Sequence, residues 1–397
     1  MAHAGPTNGP AWRGGPYGRL TGLDAHRGLI MMVMAIDHAS YFVARVHSLE
    51  IWGAALPSYP DVAWFWTRWV THLCAPGFFF LMGVSMALFA AGRRRAGWVE
   101  ARITRFFVVR GFLLVLLQLI VEDPAWVLGD LSAAPGLPIV RGGPMPGEGA
   151  GVPAYFGVLY ALGGAMVFWA FLRRAPLWLI AVLSAAAVGA TQVVTPGFGR
   201  EAVLYSPLAR LLFIPGQTGR WVVLYPLVSW LGPAGLGLIF GRFLQKDEGS
   251  AGTAAGLTGL AFLFLFVITR IGGGFGNLNA VPPGWVGFLN VVKYPPSLAF
   301  LSIFVAVNLM LMAAWRRAGP LFSGPFNPLR VFGRTALFFY LVHLWFFTLL
   351  GLFFRAGCGL AAMYGCWLLG LAILYPLCIW YDRLKRRTAV DSFWRFF

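Results

Sequence analysis

Ten stretches of the chain are almost purely apolar: 28–45, 69–91, 106–122, 154–172, 176–194, 221–244, 254–270, 297–315, 335–355 and 359–381. A helix rising 1.5 Å per residue needs roughly 20 such residues to cross a hydrocarbon core of about 30 Å. The pattern therefore predicts an all-α, polytopic integral membrane protein of about ten transmembrane helices. Little more than Arg173 and Arg174 separates the fourth run from the fifth, as in a tight helical hairpin. The longest polar intervals, at about 46–66, 123–152, 195–220 and 271–296, fall on one side of such a bundle. They are rich in Gly, Pro and aromatics, as in GGFGNLNAVPPGWVGFLNVVKYPPSL, and suit ordered caps over a cavity better than loose linkers. One membrane domain is expected over 19–387, with a disordered cytoplasmic tail at 1–18 and a short one at 388–397. The first run keeps Arg27, Asp37 and His38 beside or within it, unlike a signal peptide, so it should stay as helix one.

Composition narrows this further. The chain is 59% apolar and 11% charged, against about 25% charged residues in soluble domains, so a water-exposed surface is excluded. A net charge of +17 would point to nucleic acid in a soluble chain. Here the cations concentrate in alternate loops, among them Arg93, Arg94, Arg95, Arg173, Arg174, Arg242, Lys246, Arg316, Arg317 and Arg383. That positive-inside bias predicts both termini in the cytoplasm, with lipids and no nucleic acid as the partners of the surface. Cys366 and Cys378 lie roughly 18 Å apart by helical rise, too far for a disulfide. No bridge is expected, Cys74 with Cys358 included, and no metal-ligand spacing occurs.

Titratable groups inside a membrane are costly and are functional candidates by default. Helix one carries Asp24, Arg27, Asp37 and His38, helix two begins with Arg68 and His72, helix three has Arg110 and Gln118, and helix nine has His343. Eleven residues separate Arg27 from His38, which returns to within about 20° of the same helical face. Asp24 lies one turn before. The stripe sets a carboxylate and a guanidinium at the cytoplasmic mouth and an imidazole roughly 16 Å deeper, a tunnel with a phosphate-friendly mouth and a proton-handling centre. His38, His72 and His343 could share one layer. Against this, buried polar pairs also order helix packing, and cytoplasmic arginines also signal topology and meet lipid headgroups.

The segment LDAHRGLIMMVMAIDHAS, with Arg-Gly opening helix one and a histidine eleven residues after the Arg, resembles the transmembrane acyltransferase superfamily, whose acyltransferase-3 branch repeats this spacing. TRWVTHLCAPGFFFLMGVS, YPLVSWLGPAGLGLIFGRFL, and KYPPSLAFL followed by NPLRVFGRTALFFYLVHLW resemble its heparan-α-glucosaminide N-acetyltransferase-like bacterial branch. The resemblance implies a transfer of an acyl group, usually acetyl, from cytoplasmic acyl-CoA to a sugar or glycan hydroxyl or amine at the outer face of the cytoplasmic (inner) membrane. It implies no permanently bound cofactor, with acyl-CoA as co-substrate. His38 is the expected base or acyl carrier, Asp37 its orienting neighbour and His72 the rival base. Asp24, Arg27, Arg68, Asn327, Arg330 and Arg334 are expected on the donor and substrate side, with His343 binding acceptor or polarising the carbonyl. A transporter or flippase, or a haem protein ligated by His38, His72 and His343, would also keep polar residues in the core. Oligomeric state, a homodimer included, is open, because lipid-facing and subunit-facing surfaces look alike in sequence.

Overall fold

The structure, a computed structural model, describes residues 21–137, 139–141, 147–197, 207–318, 324, 326–388, 392 and 394. The tail expected at 1–18 and most of that at 388–397 lie outside them. The helices are α1 (Thr21–Ala39), α2 (Val62–Thr71), α3 (Cys74–Arg95), α4 (Glu100–Leu117), α5 (Asp123–Ser132), α6 (Val158–Leu172), α7 (Leu177–Gly197), α8 (Pro207–Leu212), α9 (Leu227–Lys246), α10 (Ala251–Gly272), α11 (Gly284–Leu289), α12 (Leu298–Ala318), α13 (Pro328–Arg334), α14 (Ala336–Gly351) and α15 (Leu360–Arg387). Each apolar run contains helix, although 154–156 and 221–223 at the start of two of them lie in strands. Seven helical stretches are long and apolar enough to cross a membrane, and α13 with α14, bent by 98°, makes an eighth if the pair is one span. Two runs fall short of that measure: α1 carries Asp24, Arg27 and Asp37, and α6 has 15 residues. The protein is a multi-pass membrane protein.

Two wider turns interrupt the helices where polar residues gather. A π turn at Ser40–Ala44 ends α1, and another at Gln118–Glu122 joins α4 to α5. Such turns rotate side chains off the regular helical stripe and often mark functional sites. Arg45 closes the first in the left-handed region, at φ 57°, pinned by bonds to the carbonyls of Gly129 (2.8 Å) and Gly351 (2.9 Å).

Among the described residues, the intervals between helices include paired strands. His47–Ser48 (β1) pairs in parallel with Val140–Arg141 (β2), and Gly147–Phe156 (β3) with Gly216–Val223 (β4), Ala154 opposite Trp221 and Phe156 opposite Val223. An all-α reading misses these ladders. Backbone amides and carbonyls that cap a membrane bundle need partners, and Gly-rich segments with no apolar period give no warning of where they find them.

Glycine contacts set the helix spacing. A Cβ on Gly28 would lie 1.7 Å from the carbonyl oxygen of Leu329, and one on Gly333 1.8 Å from that of Asp24. Helices α1 and α13 thus touch backbone to backbone, the small-residue packing that membranes favour. Helices α3 and α9 do the same, since a Cβ on Gly237 would lie 1.9 Å from the oxygen of Phe80. Gly333→Ala should cost about 1–3 kcal/mol by overpacking, read as a lowered thermal midpoint in detergent. An unchanged midpoint would mean that α13 is free to retreat.

Candidate active site

The last turn of α1 presents His38, and α14 presents His343. His38 Nδ1 lies 2.7 Å from His343 Nε2, and His343 Nδ1 lies 2.9 Å from the carbonyl oxygen of Phe339. The ring planes are 18° apart with centroids at 4.9 Å, so the imidazoles meet edge to edge in nearly one plane, as hydrogen-bonded rings do. The chain of bonds fixes the protons. A carbonyl can only accept, so His343 Nδ1 carries the hydrogen and its Nε2 accepts; His38 Nδ1 then donates, and His38 Nε2 keeps the free lone pair. Trp126 stands edge-on to His38 at 5.3 Å and holds the ring in place.

Asp37, the expected orienter of His38, faces elsewhere. Its Oδ1 accepts from Arg68 Nη1 at 2.6 Å and from Thr71 Oγ1 at 3.2 Å. Arg68 also grips Glu50 through Nε at 3.0 Å and Nη2 at 2.6 Å, a two-pronged charge-assisted pair of the strong kind. His72 Nε2 lies 3.2 Å from Glu50 Oε2, and its ring packs against Phe300 and Phe304. His72 therefore belongs to the Glu50 cluster, and the three-histidine layer reduces to the His38 and His343 pair. Burial opposes the Glu50 charge, yet Arg68 and His72 hold its carboxyl well below the usual range. Burial, reinforced by Arg68, pushes the nearby His47 imidazole down to about 3. His47 is thus a neutral neighbour of the Asp37 carboxylate.

Two cavities approach each other near Val158 and Tyr340, and His38 lies on the outer one. The inner one, about 310 Å3, is lined by Arg27, Arg110, Arg334 and Lys385 among Phe and Met side chains. The outer one, about 600 Å3, is lined by His38, Glu122, Asp130, Tyr155 and Tyr225. Between them a pocket of about 40 Å3 is bordered by His38, Phe78, Val158, Lys293 and Tyr340. Val158 and Tyr340 border all three spaces. Along α1, Arg27 and Met31 face the inner cavity, Met34 the junction, and His38 the junction and the outer cavity. Arg27 and His38 thus lie on one stripe of α1 and border different cavities.

The other sequence candidates divide. Arg27 donates to Ser85 Oγ at 2.9 Å and to the Gly333 carbonyl at 3.2 Å, with Asp24 3.4 Å away. Arg334 lies 3.0 Å from Asp382. Both arginines keep a place on the inner cavity. Asn327 accepts from the amide of Leu329 and caps α13, and Arg330 reaches the Gly324 carbonyl; neither borders that cavity. Arg68, expected on the donor side, lies instead in the carboxylate cluster.

Sequence reading passed over Glu50, Glu122, Asp130, Lys293 and Tyr340. Glu122 ends a predicted span, and the π turn that begins at Gln118 carries it to the cavity, where Trp126 Nε1 donates to it at 3.1 Å. Tyr41 and Tyr155 both donate to Asp130, the latter at 2.7 Å. The one signal for Lys293 is a lone cation inside an apolar stretch, NVVKYPPSL.

The fold and site together define a multi-pass helical membrane protein with a buried imidazole pair beside polar cavities. Residues 19–271 match the family model for heparan-alpha-glucosaminide N-acetyltransferase, catalytic, and the chain belongs to that family, a membrane acetyltransferase type. A search of curated proteins finds no match. The matched residues hold His38, Asp37 and Glu122, whereas Lys293, Arg334 and His343 come from the part beyond.

Proposed function

We propose that the protein transfers an acyl group, acetyl first among candidates, from acyl-CoA in the inner cavity to a sugar or glycan hydroxyl or amine in the outer cavity. The observation that carries this reading is the place of His38, with its free Nε2, on the outer cavity and on the small pocket that shares Phe78, Val158 and Tyr340 with the inner one. The inner cavity is the cytoplasmic one. The end of the bundle that holds Arg93, Arg94, Arg95, Arg173, Arg174, Arg242 and Lys385 is the cationic end, and cations mark the cytoplasmic side. Both termini then face the cytoplasm, and the membrane is the bacterial cytoplasmic (inner) membrane.

Arg27, Arg110, Arg334 and Lys385 bind the CoA phosphates, and the apolar walls take the pantetheine arm. His38 Nε2 removes the proton of the acceptor O–H or N–H as the acceptor's lone pair attacks the thioester carbonyl. The carbonyl oxygen gains charge beside the Lys293 ammonium and the Tyr340 hydroxyl, the kind of fixed electrostatic support that speeds acyl transfer most. The C–S bond breaks, and the imidazolium returns its proton to the departing thiolate. The same nitrogen could instead carry the acyl group. Release of free CoA from acetyl-CoA without acceptor, in one stoichiometric burst, would select that route.

The testing experiment is a thermal shift of the purified protein with acetyl-CoA, free CoA and an unrelated nucleotide, repeated on Arg27→Ala and Lys385→Gln. Selective stabilisation by the CoA species, weakened in both variants, is expected. No stabilisation in folded wild-type protein would favour a second reading that the adjacent polar cavities support, a transporter, to be tested by substrate flux without acyl transfer. His343→Phe should lower kcat and leave KM for acetyl-CoA unchanged, because His343 orients the base and does not line the donor cavity. A rise in KM alone would count against that role.

A further inference from the structure

A third polar cavity lies at the cationic end, on the other side of α3 from the inner cavity. Its volume is about 340 Å3, and Arg94, Glu100, Arg173, Arg174, Arg242 and Gln245 converge on it from α3, α4, the α6–α7 turn and α9. Ala87 and Ala90 of α3 border this space, whereas Met86 and Phe89 border the inner cavity. The two are therefore separated by the helix itself.

Four guanidinium groups face this space with one carboxylate among them. Glu100 is shared, since Arg94 Nε reaches it at 2.5 Å and Arg173 also pairs with it. Part of the donor capacity is used locally. Arg173 Nη1 donates to Thr104 Oγ1 at 2.7 Å, and Arg242 Nη1 donates to the Ala175 carbonyl at 2.6 Å. Arg173 Nη1 also donates to the Ala170 carbonyl, and its Nη2 to the carbonyl and carboxylate of Glu100, which leaves only its Nε. Arg173 is a buried side chain whose Nε has no hydrogen-bond partner among the described residues, and Arg174 is exposed at the hairpin turn. Like charges gathered at a partly desolvated cavity repel one another, and a buried guanidinium N–H without a partner is costly. An oxyanion with several acceptor oxygens removes both penalties, and phosphate matches the planar fork of arginine best.

We propose that this cavity is a binding site for a phosphate-bearing anion, separate from the acyl-transfer passage and independent of the acyltransferase reading. The shared chemistry is a phosphate oxyanion held by Arg173, Arg174 and Arg242. Its source is either an anionic lipid headgroup, at hand where basic pockets open between helices on the cytoplasmic side, or free phosphate from the cytoplasm. Either ligand ties the α6–α7 turn to α9, so its occupancy is read as stability, by mass action.

The test is thermal unfolding of the full chain in neutral detergent at fixed ionic strength. One arm titrates sodium phosphate against sodium chloride, and the other adds phosphatidylglycerol against phosphatidylcholine to the micelles. Both arms are repeated on Arg174→Gln, an exposed position, and on Arg174→Gln/Arg242→Gln. Stabilisation of the wild type is expected in at least one arm, with apparent affinity at least about tenfold weaker in the double variant, since each bond to a charged group is worth that much or more. A response to both arms identifies free phosphate as sufficient, and a response to phosphatidylglycerol alone identifies the lipid headgroup. Absence of stabilisation in both arms, or equal stabilisation of wild type and of the well-folded Arg174→Gln and double variants, would overturn the proposal.

Discussion

His38→Ala is expected to lower acyl transfer by about 10²–10⁴-fold, the usual contribution of a positioned general base, while acetyl-CoA still stabilises the protein. The two readouts separate because His38 borders the junction and the outer cavity, whereas the inner cavity, proposed for the donor, is lined by Arg27, Arg110, Arg334 and Lys385. The lost ring also leaves His343 Nε2 without its partner, so a modest fall in thermal midpoint should accompany the loss of rate. His38→Gln restores a polar group at the same place but no base, and should stay as slow as the alanine variant. Steady-state transfer to a glucosamine acceptor measures this. Turnover within a few-fold of wild type in either variant would remove His38 from the chemistry and return attention to Glu122 across the cavity.

The largest loss of stability is expected from Arg68→Met. Arg68 is 6% exposed and holds two carboxylates at once, Asp37 at 2.6 Å and Glu50 at 2.6 Å. Methionine fills much of the same volume but leaves both acids buried without their shared cation, and removing one partner from a buried ion pair costs about 3–5 kcal/mol. The variant should unfold at much lower temperature or fail to accumulate. Arg68→Met/Glu50→Gln should recover part of the loss, since one of the stranded charges goes with the arginine. A single variant as stable as wild type would show that the cluster is solvated well enough to dispense with its arginine.

How far the sequence could be read depended on whether a residue sat within a regular period. The stripe of Arg27 and His38 was legible because an eleven-residue interval on one helix maps directly to one face, and the two residues border different cavities along it. The partnership of His38 with His343 was legible only as a shared depth. Which histidine would be left out depended on the break between α2 and α3 at His72, where the chain turns the ring toward Glu50. Glu50 itself lies in a segment with no period, and only the folded loop shows that it returns to cap Arg68. Lys293 and the paired strands share that obscurity: both belong to Gly- and Pro-rich connections whose course is set by tertiary contacts. Asn327 and Arg330 mislead in the opposite sense, because their position beside Arg334 in sequence says nothing of which way each side chain leaves a seven-residue helix.

The hydrogen bond between His38 and His343 joins positions 305 apart in the chain. A chain severed in the connection between α10 and α12 would put His38 on one fragment and its hydrogen-bond partner His343 on the other. Neither fragment alone would hold the imidazole pair, although the first would retain His38 and the whole region matched to the family. Co-expressed halves that regain turnover would turn catalysis into a complementation assay for the α10–α12 seam, with the two rings reporting that the halves had found each other in the right register.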